Sequence, residues 1–168
     1  LNQITPNTTK GDYFLFYGRL SDEKGILTLL RAWLDVGDNI QLKIAGDGPL
    51  KENILSFIDE NNLTNVQYLG FKQKDELFAL LSNSSFNIVP SEWYENNPLT
   101  VLESYALGKP VIGANVGGIP EIINDAETGF IFEMKNFKNL SEVIKKASHI
   151  SDQEYLVFSK NARRNNYN

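Results

Sequence analysis

The sequence predicts an α/β domain, doubly wound around a parallel sheet that carries helices on both faces. Short apolar runs typical of strands alternate with segments of helical apolar spacing along nearly the whole chain. The run from Tyr13 to Tyr17 is apolar or aromatic at every position, which is typical of a strand buried on both faces. Glycines follow most of the strand segments and mark turns.

Each element follows from its own local pattern. The helices carry apolar residues at helical spacing, and each strand is a short apolar run that ends at a turn. Strands are predicted over residues 13–17, 40–45, 66–69, 86–89, 111–112 and 129–132. Helices are predicted over residues 25–36, 50–60, 74–81, 98–107, 140–147 and 153–164.

The chain of 168 residues is predicted to hold one domain. We expect residues 1–11 to form a linker or incoming strand end, residues 12–150 the domain, and residues 151–168 a C-terminal helix with a truncated tail. Because the first residue is Leu1 rather than Met, we expect a piece of a longer protein. No apolar run approaches the ~20 residues that cross a bilayer.

Composition excludes several classes of site. The chain has no cysteine, which excludes a disulfide scaffold, a Cys-ligated zinc site and a Cys nucleophile. A single histidine, His149, argues against a His-rich metal site. A net charge of -5 argues against a broad nucleic-acid surface, so nucleic acid is not an expected partner.

The turns after the first two strands are candidate ligand sites, because open parallel sheets bind ligands beyond the carboxyl ends of their strands. Gly18 allows close backbone approach, and Arg19 and Lys24 place two cations near a helix N-terminus, where a phosphate would lie between them. Gly46 ends the next strand in the same way. The alternative is that both are ordinary turns, the first with solvated charges.

The loop that follows the strand at residues 86–89 is the richest in candidate groups. Pro98 is predicted at the first helical position, with Asn97 as the N-cap residue before it. The first N–H groups of that helix would point toward a phosphate. They belong to Leu99, Thr100 and Val101.

Two glutamates flank this helix start. Glu95 lies in the loop before the helix, and the Asn-Asn-Pro break lets it fold back over the helix mouth. Glu103 lies among apolar residues in the helix, where a carboxylate costs desolvation unless it has a partner. One carboxylate can accept two hydrogen bonds from a vicinal diol such as a ribose. The alternative places Glu103 on an exposed stripe.

Aromatic and glycine residues in these loops have two interpretations each. Trp93 and Tyr94 either stack on a sugar or pack against the protein. Phe71 either flanks a base or packs. Gly117 and Gly118 either bring the backbone to a ligand or form a structural turn before a short helix.

The motifs form an ordered set along the chain. They are Gly18-Arg19-Leu20 with Glu23-Lys24-Gly25, Gly46-Asp47-Gly48-Pro49, Pro90-Ser91, Glu95 and Glu103 as Glu-x7-Glu, Gly108-Lys109-Pro110-Val111-Ile112, Gly117-Gly118-Ile119-Pro120-Glu121 and Thr128-Gly129. Together they resemble the C-terminal, donor-binding domain of a family 4 retaining glycosyltransferase of the GT-B fold, over about residues 12–150. The resemblance implies a Rossmann-like domain, one half of a two-domain enzyme.

The resemblance implies a role for each candidate residue. Arg19 and Lys24 would hold the diphosphate of a nucleotide-sugar and stabilise it as it departs. Glu95 would contact the donor sugar, which makes these three the implied catalytic residues, and Glu103 would bind the ribose hydroxyls. The donor site would also include Gly18, Gly46, Phe71, Lys72, Asn97, Leu99, Thr100 and Val101.

The resemblance also implies substrates and partners. The donor would be a UDP-sugar rather than a GDP-sugar, with no metal required, and the absence of Asp-x-Asp from the chain agrees with this. A missing N-terminal domain would bind a glycan or lipid-linked acceptor, so we expect the chain alone to bind donor but to transfer little sugar. The full-length protein would be cytoplasmic, peripheral at the inner face of the membrane, and part of surface polysaccharide synthesis.

One departure from the family pattern bears on the sugar contact. After the first glutamate the family usually shows Gly-Phe-Gly, whereas this chain has Asn96-Asn97-Pro98. A nucleotide-sugar epimerase or synthase of the same fold, and a non-catalytic nucleotide-binding module, are the alternatives. A dehydrogenase would need Gly-x-Gly-x-x-Gly after the first strand, and a receiver domain would need an acidic pocket there; the chain has Gly18-Arg19 instead.

Overall fold

The structure is a computed structural model that describes residues 5–96 and 98–165. Its parallel sheet has the strand order β3-β2-β1-β4-β5-β6. The strands are β1 (Tyr13–Tyr17), β2 (Gln41–Ala45), β3 (Val66–Gly70), β4 (Asn87–Val89), β5 (Val111–Ala114) and β6 (Gly129–Phe132). The helices are α1 (Ile26–Trp33), α2 (Lys51–Glu60), α3 (Lys74–Ser82), α4 (Leu99–Ala106), α5 (Ile119–Ile122), α6 (Phe137–Ser148) and α7 (Asp152–Asn165). The predicted doubly wound α/β fold is confirmed.

The chain reverses its direction across the sheet between β1 and β4. These two strands are neighbours, with Leu15 opposite Asn87, although two other strands separate them in sequence. The helix after β1 packs with α6, whereas the helix after β4 packs with α7. The two connections therefore diverge and leave a crevice at the carboxyl ends of β1 and β4, which is where such sheets bind ligands.

Side chains of β1 alternate between two apolar layers, as successive residues of a strand must. Phe14 and Phe16 belong to the layer with α1, α2 and α6, while Tyr13, Leu15 and Tyr17 belong to the layer with α3. All five residues are buried, which confirms the prediction of a strand covered on both faces. This rigid strand fixes the position of the loop that follows it.

The start of α4 differs from the prediction by one residue. Pro98 has a non-helical ψ of 89° and is the N-cap residue, so Leu99 rather than Pro98 is the first helical residue. The carbonyl of Pro98 already accepts a hydrogen bond from Val101 at 3.1 Å, as an N-cap carbonyl does. The predicted N-cap residue, Asn97, lies outside the described residues.

The last two helices complete the core. α6 begins at Phe137, earlier than predicted, because the Asn136 side chain accepts a hydrogen bond from the Asn139 N–H at 2.9 Å and caps the helix. In α7, Tyr155 is fully buried and meets Phe86 edge-on, with ring centroids 5.8 Å apart. α7 therefore closes the layer above β4.

Candidate functional site at the carboxyl edge of the sheet

The loops that follow β1 to β5, with the first two turns of α4, contain the candidate residues and are together called the carboxyl edge. The first and fourth of these loops are joined. The Glu92 N–H donates to the carbonyl of Glu23 at 2.9 Å, and a Cβ on Gly25 would lie 1.8 Å from the carbonyl oxygen of Pro90. Glycine at position 25 thus lets the two loops meet across the crevice.

Gly18 and Gly46 form a tight backbone contact at the ends of β1 and β2. Gly46 has a φ of 145°, and a Cβ added to it would lie 1.9 Å from the carbonyl oxygen of Gly18. The Tyr68 hydroxyl donates to the carbonyl of Gly46 at 2.8 Å and holds this turn from the third strand. Main chain therefore forms the floor of the site.

A cleft of about 340 Å³ opens above this floor. The structure brings five of the predicted donor-site residues together along it, although they come from three separate loops. They are Gly18, Arg19, Gly46, Phe71 and Lys72. Phe71 is 69% exposed, so the alternative in which it packs against the protein is wrong. An exposed aromatic ring beside a cleft can stack on a planar group.

A second cleft of about 40 Å³ adjoins the first, since Tyr17 and Gly18 line both. Lys24, Glu95 and Thr100 line the smaller cleft. Lys24 Nζ lies 2.8 Å from Glu95 Oε1, and both side chains are partly exposed. Two of the predicted catalytic residues thus bind each other across the crevice.

The third predicted catalytic residue, Arg19, points outward. Its side chain is exposed and forms no ion pair with any other described residue. The cation is therefore available to a ligand in the larger cleft, which it also lines.

Glu103 has a buried partner that was not predicted. The hydroxyl of Tyr17 donates to Glu103 Oε2 at 2.8 Å. Burial, and then the adjacent charge of Glu103, raise the pKa of Tyr17 well above its ordinary value, so this hydroxyl stays a donor. Glu103 is only half-exposed, which argues against the exposed-stripe alternative.

The N-terminus of α4 offers fewer open donors than predicted. Val101 N–H is bonded to Pro98, so the prediction that it is open was wrong. Within the described part of the chain, the N–H groups of Leu99 and Thr100 find no acceptor. Thr100 lines the smaller cleft, so the start of α4 adjoins it.

Comparison with known proteins identifies the family. The family described as "Glycosyl transferases group 1" matches residues 2–165. The chain belongs to this family. An uncharacterized glycosyltransferase of Methanocaldococcus jannaschii is 37% identical over 137 residues, 80% of this chain. A putative colanic acid biosynthesis glycosyltransferase of Escherichia coli is 25% identical over 154 residues, 86% of this chain.

A solved structure shares the fold of this group 1 glycosyl transferase chain. HepE of Anabaena, determined in complex with UDP, superposes with a TM-score of 0.83 over 94% of the chain at 21% identity. The same protein was also determined with UDP-glucose, with a TM-score of 0.82. The chain spans 44% of HepE in its UDP complex and 38% of each of the two relatives above.

The glycine pair Gly117-Gly118 supports the loop that carries Glu95. Gly118 N–H donates to the carbonyl of Glu95 at 2.7 Å, and a Cβ on Gly117 would lie 2.6 Å from the Glu95 nitrogen. The pair thus makes the kind of structural contact that one of its two predicted alternatives expects. Trp93 and Tyr94 are 67% and 71% exposed, so they do not pack against the described protein.

Tyr17 lines both clefts but was not predicted from the sequence as a site residue. Its signal was available: it ends a buried strand, and residues at the carboxyl ends of neighbouring parallel strands share one edge. Residues 5–96 and 98–165 contain no cluster of three or more His, Asp or Glu side chains placed to hold a metal, and no helix with the length and apolarity to cross a membrane.

Proposed function

We propose that this chain is the donor-binding, C-terminal part of a retaining family 4 glycosyltransferase that transfers a hexosyl group from a UDP-sugar. The observation that carries the proposal is the arrangement of Arg19, Lys24 and the α4 N-terminus around one crevice at the strand-order reversal. Two cations and the N–H groups at the start of a helix form a site for a diphosphate. The adjoining cleft of about 340 Å³ offers room for the nucleoside.

Each part of a nucleotide-sugar has a matching group. Phe71 offers a ring for the base, and Glu103, held by Tyr17, offers carboxylate oxygens for ribose hydroxyls. Arg19 and Lys24 stabilise the negative charge that grows on the diphosphate as it leaves, which is where fixed cations accelerate transfer most. Glu95 contacts the donor sugar when the diphosphate has taken over its partner Lys24.

The comparisons support the substrate class. HepE is a structural neighbour determined with UDP and with UDP-glucose, which favours a UDP-sugar over a GDP-sugar. The relative in colanic acid biosynthesis favours a role in surface polysaccharide synthesis, with a glycan or lipid-linked acceptor. We place the full-length protein in the cytoplasm, peripheral at the inner face of the membrane, and the reaction requires no bound metal.

Thermal unfolding with UDP, GDP and ADP tests the donor site. We expect UDP to raise Tm most, because a ligand at about 100 times its Kd adds about 2.7 kcal/mol, worth several degrees in a chain of this size. Arg19→Ala should abolish the shift, whereas Arg31→Ala, an exposed arginine on α1, should preserve it. The lack of a shift with all three nucleotides would contradict the proposal.

Turnover separates an enzyme from a nucleotide-binding module. The full-length protein should release UDP from a UDP-hexose in the presence of acceptor, and the 168-residue chain should release little, because a two-domain transferase assembles its site only on closure. Full activity of the chain alone would show that no second domain is required.

A further inference from the structure

Two adjacent aromatic side chains next to the candidate site have no partner in the structure. Trp93 is 67% and Tyr94 is 71% exposed, and they immediately precede Glu95. Neither lines the two clefts that would hold the donor. Large aromatic side chains such as Trp and Tyr are enriched at binding interfaces.

The backbone on either side of this pair is anchored. Before it, Glu92 N–H donates to Glu23 at 2.9 Å, and Glu92 Oε1 accepts from the Thr28 hydroxyl at 2.6 Å. After it, the Glu95 carbonyl accepts from Gly118 at 2.7 Å. The backbone that carries the two rings is thus anchored on both sides, next to the residues that line the smaller cleft. An anchored backbone lowers the entropy cost of ordering the rings on binding.

We infer that Trp93 and Tyr94 form this chain's part of the acceptor site, a stacking surface for one pyranose ring, beside the N-terminal domain that is expected to bind the rest of the acceptor. The inference rests on the proposed function, because it places the acceptor on the rim of a donor site. The donor sugar would lie inside the crevice, beside Lys24 and Glu95, so rings that point outward meet the molecule that approaches from solvent. The occupant is therefore a saccharide acceptor.

The neighbouring residues favour a sugar over other occupants. Polar side chains flank the rings, namely Glu92, Glu95 and Asn96. A pyranose matches this pattern, because it has an apolar C–H face for aromatic rings and a rim of hydroxyls for carboxylates and amides. An anionic lipid surface does not match, since it would repel two glutamates and a chain with a net charge of -5.

Saturation-transfer NMR on the UDP-loaded chain tests the inference with defined probes. The probes are the methyl α-glycosides of glucose, galactose, mannose and N-acetylglucosamine. We expect at least one to receive saturation at its ring C–H protons. The double variant Trp93→Ala/Tyr94→Ala should lose this signal, Trp93→Phe/Tyr94→Phe should keep it, and Val157→Ala, which trims an exposed side chain on α7, should leave it unchanged.

The UDP signals in the same spectra separate the two hypotheses. If UDP binds every variant but no glycoside gives a signal, or the alanine variant keeps it, the stacking surface is wrong and the donor site stands. If UDP itself gives no signal, the proposed function fails and this inference with it. Trp93-dependent cosedimentation with neutral phosphatidylcholine vesicles, without glycoside binding, would assign the rings to a membrane and overturn the inference.

Tryptophan fluorescence gives a second readout on the same chain. The chain has two tryptophans, and Trp33 is buried with its indole N–H bonded to the Ile40 carbonyl at 3.1 Å. Quenching by acrylamide therefore reports Trp93. A bound glycoside should protect Trp93 from the quencher, and equal quenching with and without glycoside would overturn the inference.

Discussion

Cations at the two edges of the sheet have different partners. At the amino edge, formed by the residues that precede the strands, Lys109 Nζ donates to the Thr9 carbonyl at 2.8 Å and its side chain is fully buried. Lys10 Nζ donates there to two carbonyls at the C-terminal end of α6, that of its last residue Ser148 at 3.0 Å and that of Ile150 at 2.7 Å. These lysines use main-chain dipoles and need no anion.

The carboxyl edge pairs its cations with carboxylates or leaves them open. Lys24 forms an ion pair with Glu95, and Lys72 Nζ lies 3.6 Å from Glu76 Oε2. Arg19 is exposed. Partly exposed ion pairs contribute at most about 1 kcal/mol, so an incoming diphosphate can replace the carboxylate at small cost. A structural lysine and a ligand-binding one are therefore distinguished by the group that each contacts, rather than by position in a motif.

The largest effect should come from adding a methyl group to a glycine at each edge and comparing the stability of the two variants. Gly46→Ala should destabilise the protein by about 3 kcal/mol, because the new Cβ would meet the Gly18 carbonyl and the φ of 145° strains an alanine. Gly37→Ala, at the amino edge, has a φ of 95° but open space, so strain alone should cost about 1 kcal/mol. Urea unfolding measures both.

Nucleotide binding gives the second readout of this pair. Gly46→Ala should also lose the Tm shift by UDP, because the floor of the larger cleft moves, while Gly37→Ala should retain it. Equal destabilisation of the two variants would show that the carboxyl edge is no tighter than the amino edge.

The buried cation of the amino edge should make stability depend on pH. Burial lowers the pKa of Lys109 to about 8, so the unfolded chain, with a lysine pKa of about 10.4, binds more protons between these values. The free energy of unfolding should therefore rise from about pH 8 to about pH 9, by up to about 1.4 kcal/mol per pH unit. Urea unfolding across this range measures the slope.

Two lysine variants compare the edges in the same experiment. Lys109→Met should flatten the rise, whereas Lys24→Met at the carboxyl edge should keep the wild-type slope because Lys109 is still present. Above about pH 9 the trend should reverse, since burial raises the pKa of Tyr13 to about 12 and also raises the pKa values of Tyr17, Tyr68, Tyr105 and Tyr155, so tyrosines ionise first in the unfolded chain. A flat wild-type profile from about pH 8 to 9 would contradict the burial of Lys109.

The two edges were not equally predictable from sequence. The alternation of strands and helices was predictable from apolar periodicity. Gly18 and Gly46 were predictable as site residues because ligands bind beyond the carboxyl ends of parallel strands. Pairing between distant side chains has no local signal. Tyr17 with Glu103, and Lys24 with Glu95, arise from strand packing, so only the fold reveals them. The contact of Gly117 and Gly118 with the Glu95 backbone also joins segments distant in sequence, so the sequence left open whether this pair binds a ligand or forms a structural turn.

A smaller effect is expected from the ribose contact of the carboxyl edge. Glu103→Gln should weaken UDP and UMP equally, by about tenfold, because a hydrogen bond to a charged acceptor contributes about 1.5 kcal/mol or more. Stability should change little, since the new amide oxygen still accepts from Tyr17. Calorimetric titration measures both affinities, with Glu142→Gln on the exposed surface of α6 as the control. A loss confined to UDP would place Glu103 at the phosphates instead.

The smallest effect tests whether a ligand can replace Glu95 as the partner of Lys24. Glu95→Gln should strengthen UDP binding by about threefold at low salt, because the carboxylate that competes for Lys24 is gone and the exposed pair contributes less than about 1 kcal/mol. The gain should shrink as salt screens the charges, and Lys24→Ala should weaken UDP instead. Sugar transfer by the full-length protein should fall in the same Glu95→Gln variant, because the donor sugar loses a carboxylate contact. Weaker UDP binding by Glu95→Gln would mean that Glu95 orients Lys24 for the phosphate rather than competing for it, and the carboxyl edge would then hold its cations as firmly as the amino edge does.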